Sequence, residues 1–167
     1  MTPAGASPRA IVASDFTGNL ERLVGETFEG PPAEGGSAYL DKNAGLFQTI
    51  DPLSAEAASR PPRAGAPTIA AHCIHVAYYV RVLDDFLTGR EPDLDWPGSW
   101  RVQMVDAAAW DAVRADLRAR YEELRRTIRA QETWDDDPIG DVMAILAHTA
   151  YHLGAIRQMA RAMVEAP

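Results

Sequence analysis

The four histidines of this chain fall into two close pairs, His72-x2-His75 and His148-x3-His152. Each pair sits in a stretch that otherwise reads as buried helix. Residues three or four apart on a helix share a face, so each pair aims two imidazoles the same way. A buried imidazole needs partners for its ring nitrogens. Four with the same need suggest one shared partner, and a divalent transition metal is the economical choice, because neutral imidazole is its commonest protein ligand.

The spacing His148-Thr-Ala-Tyr-His152 matches a zinc-peptidase helix at the two ligand positions only. That chemistry needs a glutamate directly after the first histidine as general base, and the residue there is Thr149. Peptidase is therefore excluded. No Gly-rich phosphate loop, Gly-x-Ser-x-Gly or Cys-x-x-Cys is present. Cys73 is the only cysteine, in the middle of an apolar helix, so it reads as a packed thiol rather than half of a disulfide.

Four long helices must position the histidines. Ser7-Pro8 reads as the start of the first, with Val12, Phe16, Leu20, Leu23 and Phe28 at helical spacing up to Gly30. Residues 30–67 form a Gly-, Pro- and Ala-rich connection. Short helical turns are expected within it at 44–50 and 54–59, because Tyr39, Leu40, Leu46, Phe47, Ile50 and Leu53 need somewhere to pack. Thr68 caps the second helix, which carries His75, Tyr79, Val82 and Phe86 along one stripe and stops near Gly89. Residues 90–105 form another loop, and its two tryptophans around a Pro-Gly turn, Trp96-Pro-Gly-Ser-Trp100, suggest that it folds onto the bundle.

Asp106 can cap the third helix, whose Trp110, Val113, Leu117, Tyr121, Leu124 and Ile128 step by three and four. Its basic residues read as a solvated face. Asp137-Pro138 starts the fourth helix, with Ile145, His148, His152, Ala155, Met159 and Met163 along one side. This helix is so broadly apolar that it is expected to be buried on several sides. The reading is an all-α, four-helix bundle in a single domain, residues 1–167. The long loop between helices one and two leaves room for a crossover.

Composition narrows the partners. At 167 residues the chain can bury a real core, and a net charge of −8 disfavours binding through nucleic-acid phosphates. Lys42 is the only lysine among 16 basic residues, a bias read as genomic composition rather than function. The N-terminus has no apolar signal region, and no apolar stretch of about 18 residues is evident. A cytoplasmic protein with no membrane partner is the expectation.

The segment Thr68-Ile-Ala-Ala-His-Cys-Ile-His75-Val-Ala-Tyr-Tyr resembles the second helix of the DinB-like (YfiT-like) family of metal-dependent enzymes. Ala147-His148-Thr-Ala-Tyr-His152-Leu-Gly-Ala-Ile-Arg-Gln158 resembles its last-helix motif, and the Trp96–Trp100 loop is similar as well. The resemblance implies a four-helix bundle, often a homodimer, with a Zn or Ni ion on His75, His148 and His152. Under it His72 is a neighbour of the ion, though its place one turn from His75 leaves open that it binds instead or as well. Three ligands would leave an open position, whereas four would close a tetrahedral ion.

The resemblance further implies a small-molecule substrate and a transferase using a low-molecular-weight thiol, or a hydrolase. The ion would bring bound water or thiol to a near-neutral pKa. A non-catalytic metal-binding or stress-response bundle is the rival reading. Tyr79 and Asp141 are candidates to orient substrate or move a proton, although a core hydroxyl and a helix N-terminal carboxylate explain them as well. The sequence departs from the family motif at Ala155, where a glutamine is common. Gln158 is the nearest stand-in.

Overall fold

Helical periodicity in the sequence becomes six α-helices in the structure, a computed structural model that describes residues 12–164. They are α1 (Ala13–Glu29), α2 (Leu46–Ile50), α3 (Ala55–Ala58), α4 (Ile69–Leu87), α5 (Ala107–Ala130) and α6 (Asp136–Val164). Among the described residues there is no strand. The four long helices, α1, α4, α5 and α6, make the bundle, and the two short ones fall inside the expected turns of the first connection.

Side-chain caps set three of the starts. Thr68 Oγ1 accepts from the Ala71 N–H at 3.2 Å, Asp106 Oδ1 from Ala109 at 2.8 Å and Ser54 Oγ from Ala57 at 3.1 Å. Two starts differ from expectation. Val12 is extended and 57% exposed, so α1 begins at Ala13; the Ser7-Pro8 pair lies outside the described residues. Helix α6 begins at Asp136, one residue before Asp137, which moves Pro138 further into its first turn.

The helices run up, down, down, up. Helix α1 is antiparallel to α5, with Glu21 on Arg129 and Glu29 on Arg125. Helix α4 is antiparallel to α6, since His72 meets His152 and His75 meets His148. Helices α4 and α5 are parallel, because Gln131 Nε2 at the end of α5 donates to the Leu87 carbonyl at the end of α4. The crossover is therefore the connection after α4; the longer one before it, which left room for a crossover, joins antiparallel helices. Residues 88–106 climb back along α4: Asp95 N–H donates to Tyr78 Oη at 2.7 Å, Ser99 meets His75, and Thr68 Oγ1 donates to the Gln103 carbonyl at 2.8 Å.

The apolar core runs through all four long helices and the first connection. Leu20, Val24 and Phe28 of α1, Leu46 and Ile50 of α2, Val76 and Val80 of α4, and Leu117, Leu124 and Ile128 of α5 are all buried. Close approach fixes one glycine in this packing. A Cβ on Gly45 would lie 2.2 Å from the Gly30 nitrogen, so the start of α2 can abut the end of α1 only without a side chain.

Glu26 then ties down the first connection. Its buried carboxylate accepts the N–H groups of Ala38, Tyr39 and Leu40 at 2.6, 2.7 and 2.6 Å. Burial pushes its pKa up, but the three backbone donors together with the Arg22 charge outweigh that and hold it below the usual carboxylate value.

Helix α6 is less covered than its composition suggests. Met143 is 57% exposed and Tyr151 73% exposed, on a stripe that also holds Ala147 and Gly154. By length and composition α6 would pass as a membrane span, contrary to the expectation that no such stretch exists. A single core helix of this kind is weak evidence for a span, and α6 packs against α1 and α4. Phe86, placed on the α4 stripe, is also largely exposed.

Candidate metal centre

Because α4 and α6 are antiparallel, their histidine pairs meet in reverse order. His75 Nε2 lies 3.1 Å from His148 Nε2, and His72 Nδ1 lies 2.8 Å from His152 Nδ1. One nitrogen from each of His75, His148 and His152 falls in a group whose members are within 4.8 Å of one another. Metal–nitrogen bonds of about 2.0–2.1 Å in a tetrahedron put donors roughly 3.3 Å apart, so the donor set fits a divalent ion with only a small tightening. His72 is not part of that group and sits beside His152.

Hydrogen-bond direction sharpens the fit. Ser99 Oγ donates its one proton to the Trp96 carbonyl at 2.7 Å, so it must accept from His75 Nδ1, also at 2.7 Å. In neutral His75 the Nε2 lone pair is then bare and faces His148. Only a proton on His148 or a cation between the rings satisfies that contact.

All four imidazoles are held below their ordinary pKa. Burial is the largest cause at His75, pushed down to about 4 with help from His148 and His72. Burial also dominates at His152, pushed down to about 3, with His148, His72 and His75 adding to it. His72 and His148 are lowered by burial alone. Neutral imidazole is the metal-binding form, and it is the form present at neutral pH.

Aromatic rings wall the cluster. Trp100 stacks on His75 with centroids 4.0 Å apart and 24° between planes, and Tyr79 stacks on His148 at 3.6 Å and 11°. The crossover segment carries Trp100 in the short 3-10 turn Gly98–Trp100. Gly98 lets the Asp95 carboxylate close over the turn and accept the Gly98 N–H at 2.9 Å, because a Cβ there would lie 2.0 Å from that carboxylate and push it aside. Gln103 latches the segment by donating to the Trp100 carbonyl at 2.6 Å while accepting from the Thr68 N–H at 3.1 Å. The two tryptophans are thus folded onto the bundle as expected.

The family model of the DinB superfamily matches residues 41–156, more than half of the chain. The chain belongs to the DinB superfamily. No curated protein and no solved structure matches it. The DinB match takes in α4, the crossover segment, α5 and both histidines of α6.

The other candidates of the sequence reading separate. Tyr79 reaches the DinB centre through its ring on His148, and burial first, then Asp141, raises its phenol pKa. Asp141 lines a different cleft with Phe86, Asp136 and Asp137; burial, then Asp137, raises its pKa. Gln158 is exposed on α6. Cys73 is fully buried, and burial pushes its thiol up to about 12, which removes it as a nucleophile. The long first connection does line a cleft, of about 380 Å³ against Arg157, Ala160 and Arg161, but the histidines are not among its lining residues.

Sequence reading missed Ser99 and the stacking role of Trp100. The Trp-Pro-Gly-Ser-Trp string was the available signal: a rigid turn presenting a hydroxyl between two large rings.

Proposed function

We propose that His75, His148 and His152 hold a divalent transition ion, zinc or nickel, and that the chain is a metal-dependent enzyme acting on a small molecule. The reaction class we infer is group transfer from a low-molecular-weight thiol, with hydrolysis as the variant using water. One observation carries the metal reading: the bare Nε2 of His75, fixed by Ser99, faces His148 Nε2 at 3.1 Å. Such an ion supplies Lewis acidity and a lowered pKa to whatever occupies its free position.

The protein's own residues do the rest. Ser99 holds the His75 tautomer, and His72 braces His152 through Nδ1, leaving Nε2 as the free donor of His152. Trp100 and Tyr79 fix two of the rings and exclude water from them. With its raised pKa, Tyr79 keeps its proton at neutral pH and would serve as a hydrogen-bond donor rather than a base. The uncharged, exposed stripe of α6 with Met143 and Tyr151 supports pairing of two copies, and cytoplasmic location goes with the same proposal.

A second reading, metal binding without turnover, is favoured by one observation. The histidines line none of the clefts described above. Elemental analysis of the purified protein tests the metal. Wild type should carry close to one ion per chain, and His75→Ala, His148→Ala and His152→Ala should lose it. Unchanged metal content in all three variants would overturn the reading. Turnover with thiols and electrophilic acceptors by the loaded protein then decides between enzyme and metal-binding bundle.

A further inference from the structure

A second polar feature lies elsewhere on α6, in the cleft of about 380 Å³ between residues 41–53 and the C-terminal third of that helix. Lys42, the one lysine of the chain, meets Arg157 and Arg161 there, against a single lining carboxylate, Asp41. Among the described residues none of these three cations makes an ion pair. Arg22, Arg63 and Arg126 make none either; what sets Lys42, Arg157 and Arg161 apart is that they line one cleft together.

In a chain of net charge −8 carboxylates are plentiful. Three cations against one carboxylate leave this cleft locally positive. The helix macrodipole accounts for Arg161, which is in the last turn of α6. It does not account for Lys42, which arrives from a different segment, or for the half-buried Arg157 higher on the helix.

The cleft is also preformed. Its wall is fixed from behind, where Trp110 Nε1 donates to the Leu53 carbonyl at 2.9 Å and Arg114 to the Asp51 carbonyl at 2.9 Å. Arg118 neutralises the Asp51 carboxylate at 2.6 Å, so that charge does not compete for the cleft cations. The Thr49 hydroxyl is committed to the Gly45 carbonyl at 2.8 Å. Pro52, Leu53 and Ala160 supply an apolar floor. A volume of this size suits a small ligand.

We infer that this cleft binds a small organic anion, a phosphate or carboxylate group on a short apolar body, with Lys42, Arg157 and Arg161 as its charge partners. It is distinct from the histidine cluster, and it stands whether or not that cluster holds a metal.

The test is calorimetric titration of the full chain with phenyl phosphate and with phenylacetate at low ionic strength, with phenol as the uncharged control. One of the two anions should bind in a single saturable step that weakens as salt is added, and the tighter one identifies the anionic group. Lys42→Gln and Arg157→Gln should each lower affinity about tenfold or more. Arg126→Gln, an equal charge change at an unpaired arginine outside the cleft, should leave it unchanged. Because the variants replace surface charges, circular dichroism should show them folded, and their metal content should equal that of wild type. Absence of binding by both anions, or equal losses in Arg126→Gln and Arg157→Gln, would overturn the inference.

Discussion

Two buried aromatic clusters sit in this bundle, and they are built to opposite ends. Between α1, α2 and α5, Phe28 stacks on Tyr121 with centroids 4.7 Å apart, and Phe47 meets the edge of Tyr121 at 5.5 Å. Between α4 and α6, the rings are four imidazoles capped by Trp100 and Tyr79. The first cluster packs carbon surfaces on carbon surfaces, apart from the buried, unpartnered Tyr121 hydroxyl. The second leaves nitrogen facing nitrogen, a contact that carbon packing does not satisfy. Core aromatics gain from removing apolar area from water, whereas imidazole nitrogens facing one another gain only when a proton or a cation lies between them. The difference gives one half of the bundle an apolar core and the other a group of nitrogens close enough to share an ion.

The largest break of this comparison should come from exchanging the effects. Phe28→Ala should lower unfolding free energy by about 3–5 kcal/mol, the usual cost of deleting a buried phenyl, with folded variant still binding metal. His152→Ala should weigh the other way, abolishing metal retention while costing the metal-free chain less than Phe28→Ala does, about 1–3 kcal/mol, because it leaves His72 Nδ1 without its partner. Chemical denaturation of chelator-treated protein, paired with elemental analysis, reads both. A His152→Ala chain that loses as much stability as Phe28→Ala would show that the imidazole cluster is ordinary core.

A smaller effect belongs to Glu26, which ties the first connection to α1. Its folded pKa is depressed, so its contribution is fully present above the unfolded value near pH 4.3 and is lost as pH falls through the folded value. Glu26→Gln should therefore cost about 1.5–3 kcal/mol at pH 7, the range for hydrogen bonds to a charged group. The gap between wild type and variant should shrink as pH drops below about 4.3. Urea titrations at pH 7 and pH 3.5 check the sign; a gap that widens in acid would contradict the role given to the three N–H donors.

What the sequence disclosed follows the same division. The seam of α5, from Trp110 to Ile128, was legible because periodicity along one helix is a local property, and the caps at Thr68 and Asp106 were legible for the same reason. The histidine cluster was half legible: spacing put each pair on one face, but pairing His75 with His148 needed the direction of α4 against α6. The place of the crossover was not legible, because both loops are long enough, and length alone does not say which one climbs the bundle. The burial of α6 was over-read because an uncharged run looks equally apolar on every side, while coverage depends on where α1 and α4 lie. Glu26 left no trace, since its partners are backbone N–H groups that every residue but proline carries.

The smallest expected effect is at Ser99, and it sharpens the comparison most. Trp100 and Ser99 both hold His75, one by carbon contact and one by a single hydrogen bond. Ser99→Ala removes the acceptor that keeps the His75 proton on Nδ1, and it leaves the indole in place. Loss of such an orienting partner costs about tenfold to a hundredfold in metal affinity, and the His75 N–H left without its acceptor costs about 1 kcal/mol of stability. Competition with a chelating dye would measure the affinity. If Ser99→Ala bound as wild type and Trp100→Ala did not, the cluster would be held by packing alone, and the histidine half of the bundle would follow the same rule as the phenylalanine half.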